Sequence, residues 1–210
     1  MEQRELLSFG PAGGNSLTRD SLARALAVGR SSADRKAPAA DPLMPAAVLV
    51  PLVGHADGLT VLLTQRTAHL YHHGGQISFP GGRIESADRS PEAAALRETE
   101  EEIGLAPDRV DLLGRLDEHV TGTGFHIVPI VGLIDPPLHL TLDPFEVAEA
   151  FEVPLAFIMS RANHQRRAVV TAAGEERWST VINHRDRQIW GATAPMLVNL
   201  SNVLAPLWTS

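Results

Sequence analysis

Three glutamates, Glu98, Glu101 and Glu102, stand at helical spacing in a stretch of this 210-residue chain that carries helix signals at both ends. At about 100° per residue they fall on one face, with Leu96, Thr99 and Ile103 on the opposite, inward one. Like charges so placed repel by roughly 0.2–0.5 kcal/mol per pair, so something must offset them. Two offsets are open. One is a solvated acidic face tied by a salt bridge to Arg97, the usual fate of a bare run of charge. The other is a hard divalent cation, Mg²⁺ or Mn²⁺, which takes carboxylate, carbonyl and phosphate oxygens.

The elements that must position these acids are legible around them. Ser90 is a good N-cap, Pro91 sits where its missing N–H costs nothing, and Glu92 suits the positive helix end. Gly104 can take the left-handed position after the last turn, so the helix is expected at about 91–103. Upstream, Gly81-Gly82 forms a tight turn whose backbone can be approached closely. Residues 46–53 and 59–66 read as strands joined by a hairpin at Asp57-Gly58. Further strands are expected at 110–120 and 125–133 around Thr121-Gly122-Thr123-Gly124. A late strand at 146–155 leads into a short helix near 154–160, and a hairpin of 161–170 with 177–182 follows. The last helix carries Met196, Leu197, Leu200, Val203 and Leu204 as a core stripe. At the other end, residues up to about 17 read as a loose arm. Thr18 or Asp20 caps a short helix through about residue 30, and 31–42 reads as a linker.

Composition narrows the function. With 44% hydrophobic residues the chain can bury one sizeable core. A formal net charge of −7 argues against a nucleic-acid partner, so a phosphorylated substrate would need local positive charge or a metal. Zero cysteines exclude disulfides, thiolate zinc sites and a cysteine nucleophile. The charged start and the lack of any long apolar run lead us to expect neither secretion nor a membrane partner, and a cytoplasmic location. His69, His72 and His73 cluster, but without thiolates or helical pairing they point to substrate recognition or packing rather than to a metal.

The run from Arg97 to Leu105, preceded by Gly82, resembles the Nudix box, Gly-x5-Glu-x7-Arg-Glu-U-x-Glu-Glu-x-Gly-U, with U bulky and apolar. Thr99 departs from it at U. Asp88 stands where the first Glu belongs, and eight residues rather than seven then separate it from Arg97. That leaves open whether Asp88 pairs with Arg97. The longer run from Leu62 to Gly82, followed by Glu85 and Asp88, is similar to the extended signature of Nudix coenzyme A pyrophosphatases, which carries the longer loop. Tyr71, Thr67, Ile77 and Glu85 depart from that signature, and only Tyr71 removes a charge. Ile189-Trp190-Gly191-Ala192-Thr193-Ala194 resembles a later segment of the same relatives.

The resemblance implies a Nudix α/β/α sandwich with a mixed β-sheet and a glycine-turn, loop and acidic-helix motif. The domain would span 45–210 behind an arm, short helix and linker in 1–44. It implies a metal-dependent hydrolase cutting the diphosphate of coenzyme A or its thioesters into 3′,5′-ADP and 4′-phosphopantetheine or its acyl form. Other nucleoside diphosphate derivatives, and a noncatalytic nucleotide sensor, are the alternatives. By the same resemblance, Glu98, Glu101, Glu102 and a Gly82 carbonyl hold Mg²⁺ or Mn²⁺, and Arg97 organises them. The general base is Glu102 or a downstream acid among Glu118, Asp143, Glu146 and Glu149, with Glu146 favoured because a loop before the late strand can reach the cluster. Arg66, His73, Gln76 and Gly81 are the expected substrate contacts, a bracing role for the first three being the other reading.

Overall fold

The computed structural model describes residues 17–29, 43–69, 74–170 and 176–208. The expected arm, the linker, and Tyr71, His72 and His73 lie outside them. At the centre is β1 (Met44–His55), an almost wholly buried apolar run, as a strand covered on both faces must be. β1 runs parallel to β7 (Phe125–Ile134) through ten registered pairs, from Met44 with Phe125 to Val53 with Ile134. β2 (Gly58–Arg66) returns antiparallel through the expected hairpin. β3 (Ile77–Ser78) and β8 (Val147–Pro154) pair with β2, while β5 (Val110–Arg115) and β6 (His119–Val120) pair with β7. The sheet is therefore mixed.

β1 changes partner along its length, and this makes room for the site. β4 (Gly81–Arg83) pairs with Ala46 to Val48, whereas β2 joins only from Leu52 onward. Between them, Leu49 N–H donates to Pro80 O at 2.9 Å. By strand alternation Pro51 faces the same side, so its missing donor falls in the gap where no partner strand runs. The chain enters the sheet at Pro80 through that gap, so Gly81 and Gly82, expected as a tight turn, instead open β4, with Gly81 supplying the positive φ that the entry needs.

Each face of the sheet has its own core. Leu49, Val53, Leu62, Ile130 and Ile134 pack on α2 (Pro91–Ile103) through Ala94, Ala95 and Ile103. Val50, Leu52, Leu63 and Val131 face α1 (Arg19–Gly29), α3 (Leu155–Met159) and α4 (Thr193–Leu204). Leu22 and Leu26 of α1 lie in the same core as Leu200 and Leu204 of α4. Ser21 N–H donates to Thr18 Oγ1 at 3.2 Å, which makes Thr18 the cap of α1. A second, three-stranded sheet holds β9 (Gln165–Val170), β10 (Glu176–His184) and β11 (Arg187–Ile189).

The sequence reading of one long strand over 110–120 is corrected. β5 stops at Arg115 because Asp117 is diverted to α4: its N–H donates to Asn199 Oδ1 at 3.0 Å and its Oδ2 accepts from Asn199 Nδ2 at 2.9 Å. The strand expected from residue 161 starts at Gln165, after a short 3₁₀ turn at Arg161–Asn163.

Gly81 has φ +148°, and a Cβ there would stand 2.5 Å from Ala47 O and 2.6 Å from Val48 Cα. Neither backbone atom can yield without opening β1. Gly81→Ala is expected to cost about 3 kcal/mol or more of stability, measurable by urea unfolding.

Candidate active site

The acidic helix is built as its signals imply. Ser90 Oγ accepts from Ala93 N–H at 3.2 Å, Pro91 opens the helix, and Gly104 at φ 69° closes it with its N–H on Glu100 O. Arg115 on β5 holds Glu92 at 2.6 Å, which anchors the first turn and keeps that carboxyl below its ordinary range. Thr99 is fully buried and closes its own polar need, donating from Oγ1 to Ala95 O at 2.6 Å. A hydroxyl so satisfied can stand where an aliphatic residue is usual.

Glu102 departs from the expected exposed face. It is only 5% accessible and points inward, where its Oε2 accepts the Gly81 N–H at 3.1 Å. Burial pushes its carboxyl up to about 8. The Gly81 N–H and Arg66 pull it down, while Glu146 and Glu98 push it further up. Leu96, expected inward, is only half-buried. Glu98 is also raised, first by burial and then by Glu101 and Glu146, against the pull of Arg97.

Arg97 gathers the rest. Its Nε and Nη2 donate to the two oxygens of Asp88 at 3.1 and 3.0 Å, a bidentate pair. Its Nη1 donates to Glu98 Oε1 and Glu101 Oε2, both at 3.0 Å, and its Nη2 also reaches Arg83 O at 3.2 Å. The extra loop residue does not prevent the Asp88 pairing, because Asp88 Oδ2 accepts the Glu85 N–H at 2.8 Å and turns the loop back. Arg97, followed by Glu85, holds the Asp88 carboxyl below its usual range.

Of the four downstream acids, the structure brings Glu146 to the cluster. Two residues of β8 stand against one of β2 at the Gln65/Arg66 irregularity, which brings Glu146 level with Thr67. Thr67 N–H donates to Glu146 O at 3.0 Å, and Thr67 Oγ1 to Phe145 O at 2.7 Å. Arg66 then lies between two acids, with Nη1 3.7 Å from Glu102 Oε1 and Nη2 3.9 Å from Glu146 Oε2. The other candidates are engaged elsewhere: Glu118 with His126, Glu149 with Arg187, and Asp143 with the Phe145 N–H. Gln76 contributes its main chain, its carbonyl accepting the Arg66 N–H at 2.9 Å. Thr67 was a residue of the extended signature to which sequence reasoning gave no task.

A cation could draw on the carboxylates of Glu98, Glu101 and Glu102 and on the carbonyls of the glycine turn. Gly82 sets the spacing, since a Cβ there would meet the Glu98 carboxylate, with Oε1 at 2.7 Å. Among the described residues, no three acidic or histidine side chains converge as a closed metal cage. Arg97 turns Glu98 and Glu101 toward itself, while Glu102 bonds the Gly81 N–H and faces Arg66. The donor chemistry nevertheless suits a hard dication: all-oxygen, crowded with negative charge, and with two carboxyls raised by burial.

The family model for the NUDIX domain matches residues 43–172. The chain belongs to the Nudix hydrolase family. A curated Nudix relative from Citrobacter koseri, named uncharacterized Nudix hydrolase NudL, is 40% identical over 158 residues, covering 74% of this chain and 80% of its own. The NudL of Enterobacter sp. strain 638 is 38% identical over 157 residues with the same coverage. The Nudix fold is further seen in the crystal structure of a MutT/nudix family protein from Enterococcus faecalis. Its TM-score is 0.52 at 17% identity, over 82% of this chain and 66% of that one. Among the described residues, no helix is long and apolar enough to cross a membrane.

Proposed function

We infer that this Nudix protein hydrolyses the diphosphate of coenzyme A or its thioesters, releasing 3′,5′-ADP and 4′-phosphopantetheine or the acyl form. The observation that carries the reaction class is the junction of helix and turn: Glu102 on the Gly81 N–H, and Glu98 against Gly82. Acidic oxygens and a close-approach backbone face one another there. Mg²⁺ or Mn²⁺ held by Glu98, Glu101, Glu102 and the Gly82 carbonyl would neutralise the diphosphate and make water more acidic.

The chain's own groups do the remaining work. Arg97, bonded to Asp88, Glu98 and Glu101, holds the acids in register and touches no reacting atom. The Glu146 side chain is half-exposed and sits across Arg66 from Glu102, where it takes the proton of the attacking water. Glu102 is the other acceptor, available only in its ionised form, which burial disfavours and Arg66 and the Gly81 N–H favour. Water adds to one phosphorus, the bridging P–O bond breaks, and each product leaves as a phosphomonoester.

Support for coenzyme A comes from how the extended segment is used. Both main-chain groups of Arg66 are bonded to Gly75 and Gln76 of that segment, which fixes the arginine that faces the acidic cluster. This supports Arg66 as a substrate contact and gives Gln76 a bracing role toward it, and His73 belongs to the same segment outside the described residues. Chromatography of products from coenzyme A, NADH, ADP-ribose and diadenosine polyphosphates tests the substrate. We expect 3′,5′-ADP from coenzyme A well ahead of the other cleavages. Faster cleavage of another diphosphate would overturn the substrate assignment and leave the reaction class standing.

A further inference from the structure

Two arginines serve the acidic cluster, and they do so differently. Arg97 is locked in place by hydrogen bonds of 3.0–3.1 Å to Asp88, Glu98 and Glu101. Arg66 stands off at 3.7 and 3.9 Å from Glu102 and Glu146, which is ion-pair range without a hydrogen bond. Its main chain is nevertheless fixed, since the Arg66 N–H donates to Gln76 O at 2.9 Å and its C=O accepts from Gly75 N–H at 3.1 Å. A fixed backbone with a guanidinium short of its partners describes a charge held by attraction alone, free to be exchanged.

We propose that Arg66 is a placeholder cation that competes with the divalent ion for Glu102 and Glu146 and, once displaced, turns to the substrate's diphosphate. The inference rests on the reading of the acidic face as a divalent-cation site. Glu102 is nearly buried, Glu98 and Glu146 oppose its ionisation, and Arg66, facing both Glu102 and Glu146, is the cation that favours it. A guanidinium facing Glu102 and Glu146 and a dication held by the same carboxylates would repel each other, most at the buried Glu102. Each therefore weakens the other's hold, and the weakening is reciprocal. The released guanidinium is a planar fork suited to phosphate oxygens, while its anchored Cα keeps it beside the glycine turn. Cation loading would thereby prepare the diphosphate site, giving an order of cation first and substrate second.

The test is Mn²⁺ binding to the full chain without substrate, followed by loss of the free-ion electron paramagnetic resonance signal. Arg66→Met keeps the apolar stem and removes the charge, and is expected to bind Mn²⁺ on the order of tenfold more tightly than wild type. Arg66→Lys keeps the charge and is expected to stay within about threefold of wild type. With coenzyme A, Arg66→Met should raise KM much more than it lowers kcat, and Arg66→Lys should restore part of that loss. If wild type binds no Mn²⁺, the cation-site reading itself falls and this inference with it. If wild type binds and Arg66→Met binds equally or more weakly, only the placeholder role is overturned. Should Arg66→Met not fold, Mg²⁺ titration of wild type decides through the ¹⁵N spectrum of arginine side chains, with Arg66 assigned by its loss in Arg66→Lys. A moving Arg66 signal beside a steadier Arg97 supports the exchange, and an unmoved Arg66 signal at saturation overturns it.

Discussion

Glu102→Gln is expected to lower kcat with coenzyme A and Mg²⁺ on the order of 10³-fold while the protein stays folded. Gln has the same shape, and its amide oxygen can still accept the Gly81 N–H that Glu102 accepts at 3.1 Å. What it lacks is the ability to become a carboxylate, which holding a cation or accepting a proton requires. Stability should change in a pH-dependent way. The folded chain keeps the Glu102 proton up to about 8, whereas the unfolded chain releases it near the ordinary 4.5. Between those values the folded state binds more protons, so this group's contribution is complete below about 4.5 and is lost as pH rises through 8. His119 and His184, kept neutral by burial, act with the opposite sign around and below their ordinary 6.5, so the wild-type curve alone mixes the two trends. The difference between wild type and Glu102→Gln isolates Glu102. Without added cation, the melting temperature of the variant should gain on wild type from pH 5 to pH 8, and a flat difference would refute the buried-carboxyl account.

Gly82→Ala is expected to keep the fold and lower kcat/KM by about 10²-fold, with weaker Mn²⁺ binding. The contrast with Gly81→Ala lies in what the new methyl meets. At Gly81 it meets the backbone of β1, which cannot yield. At Gly82 it meets the end of the Glu98 side chain, which can swing away by rotating its own torsions. The fold survives because Glu98 leaves, and the site loses an oxygen donor. Circular dichroism and urea midpoints should stay near wild type while the Mn²⁺ titration shifts. A fully active Gly82→Ala would mean that Glu98 does not need its place against the turn.

The ends of α2 were written in local sequence, because Ser90, Pro91 and Gly104 act on their own backbone neighbourhood. The inward turn of Glu102 was not. On a helical wheel it lies about 60° from Thr99, at the border of the buried stripe, and distant partners settle the choice. Those partners are the Gly81 N–H and Arg66, 21 and 36 positions away along the chain. Residue counting cannot decide the Asp88 to Arg97 pairing for a related reason, since it says nothing of a loop folded back by the Glu85 N–H. The expected strand over 110–120 missed the Asp117 to Asn199 bonds, which join segments 82 residues apart. Resemblance supplied the candidate residues, and through-space contacts decided which of them meet.

The most direct test is to incubate the full-length protein with coenzyme A, with Mn²⁺ or with a chelator, and to resolve the products by chromatography. The expected result is 3′,5′-ADP and 4′-phosphopantetheine in equal amounts with Mn²⁺ and neither with the chelator. Equal product formation in the chelator would contradict the assignment of the Glu98, Glu101 and Glu102 face to a cation, and no cleavage of coenzyme A in Mn²⁺ would contradict the proposed reaction.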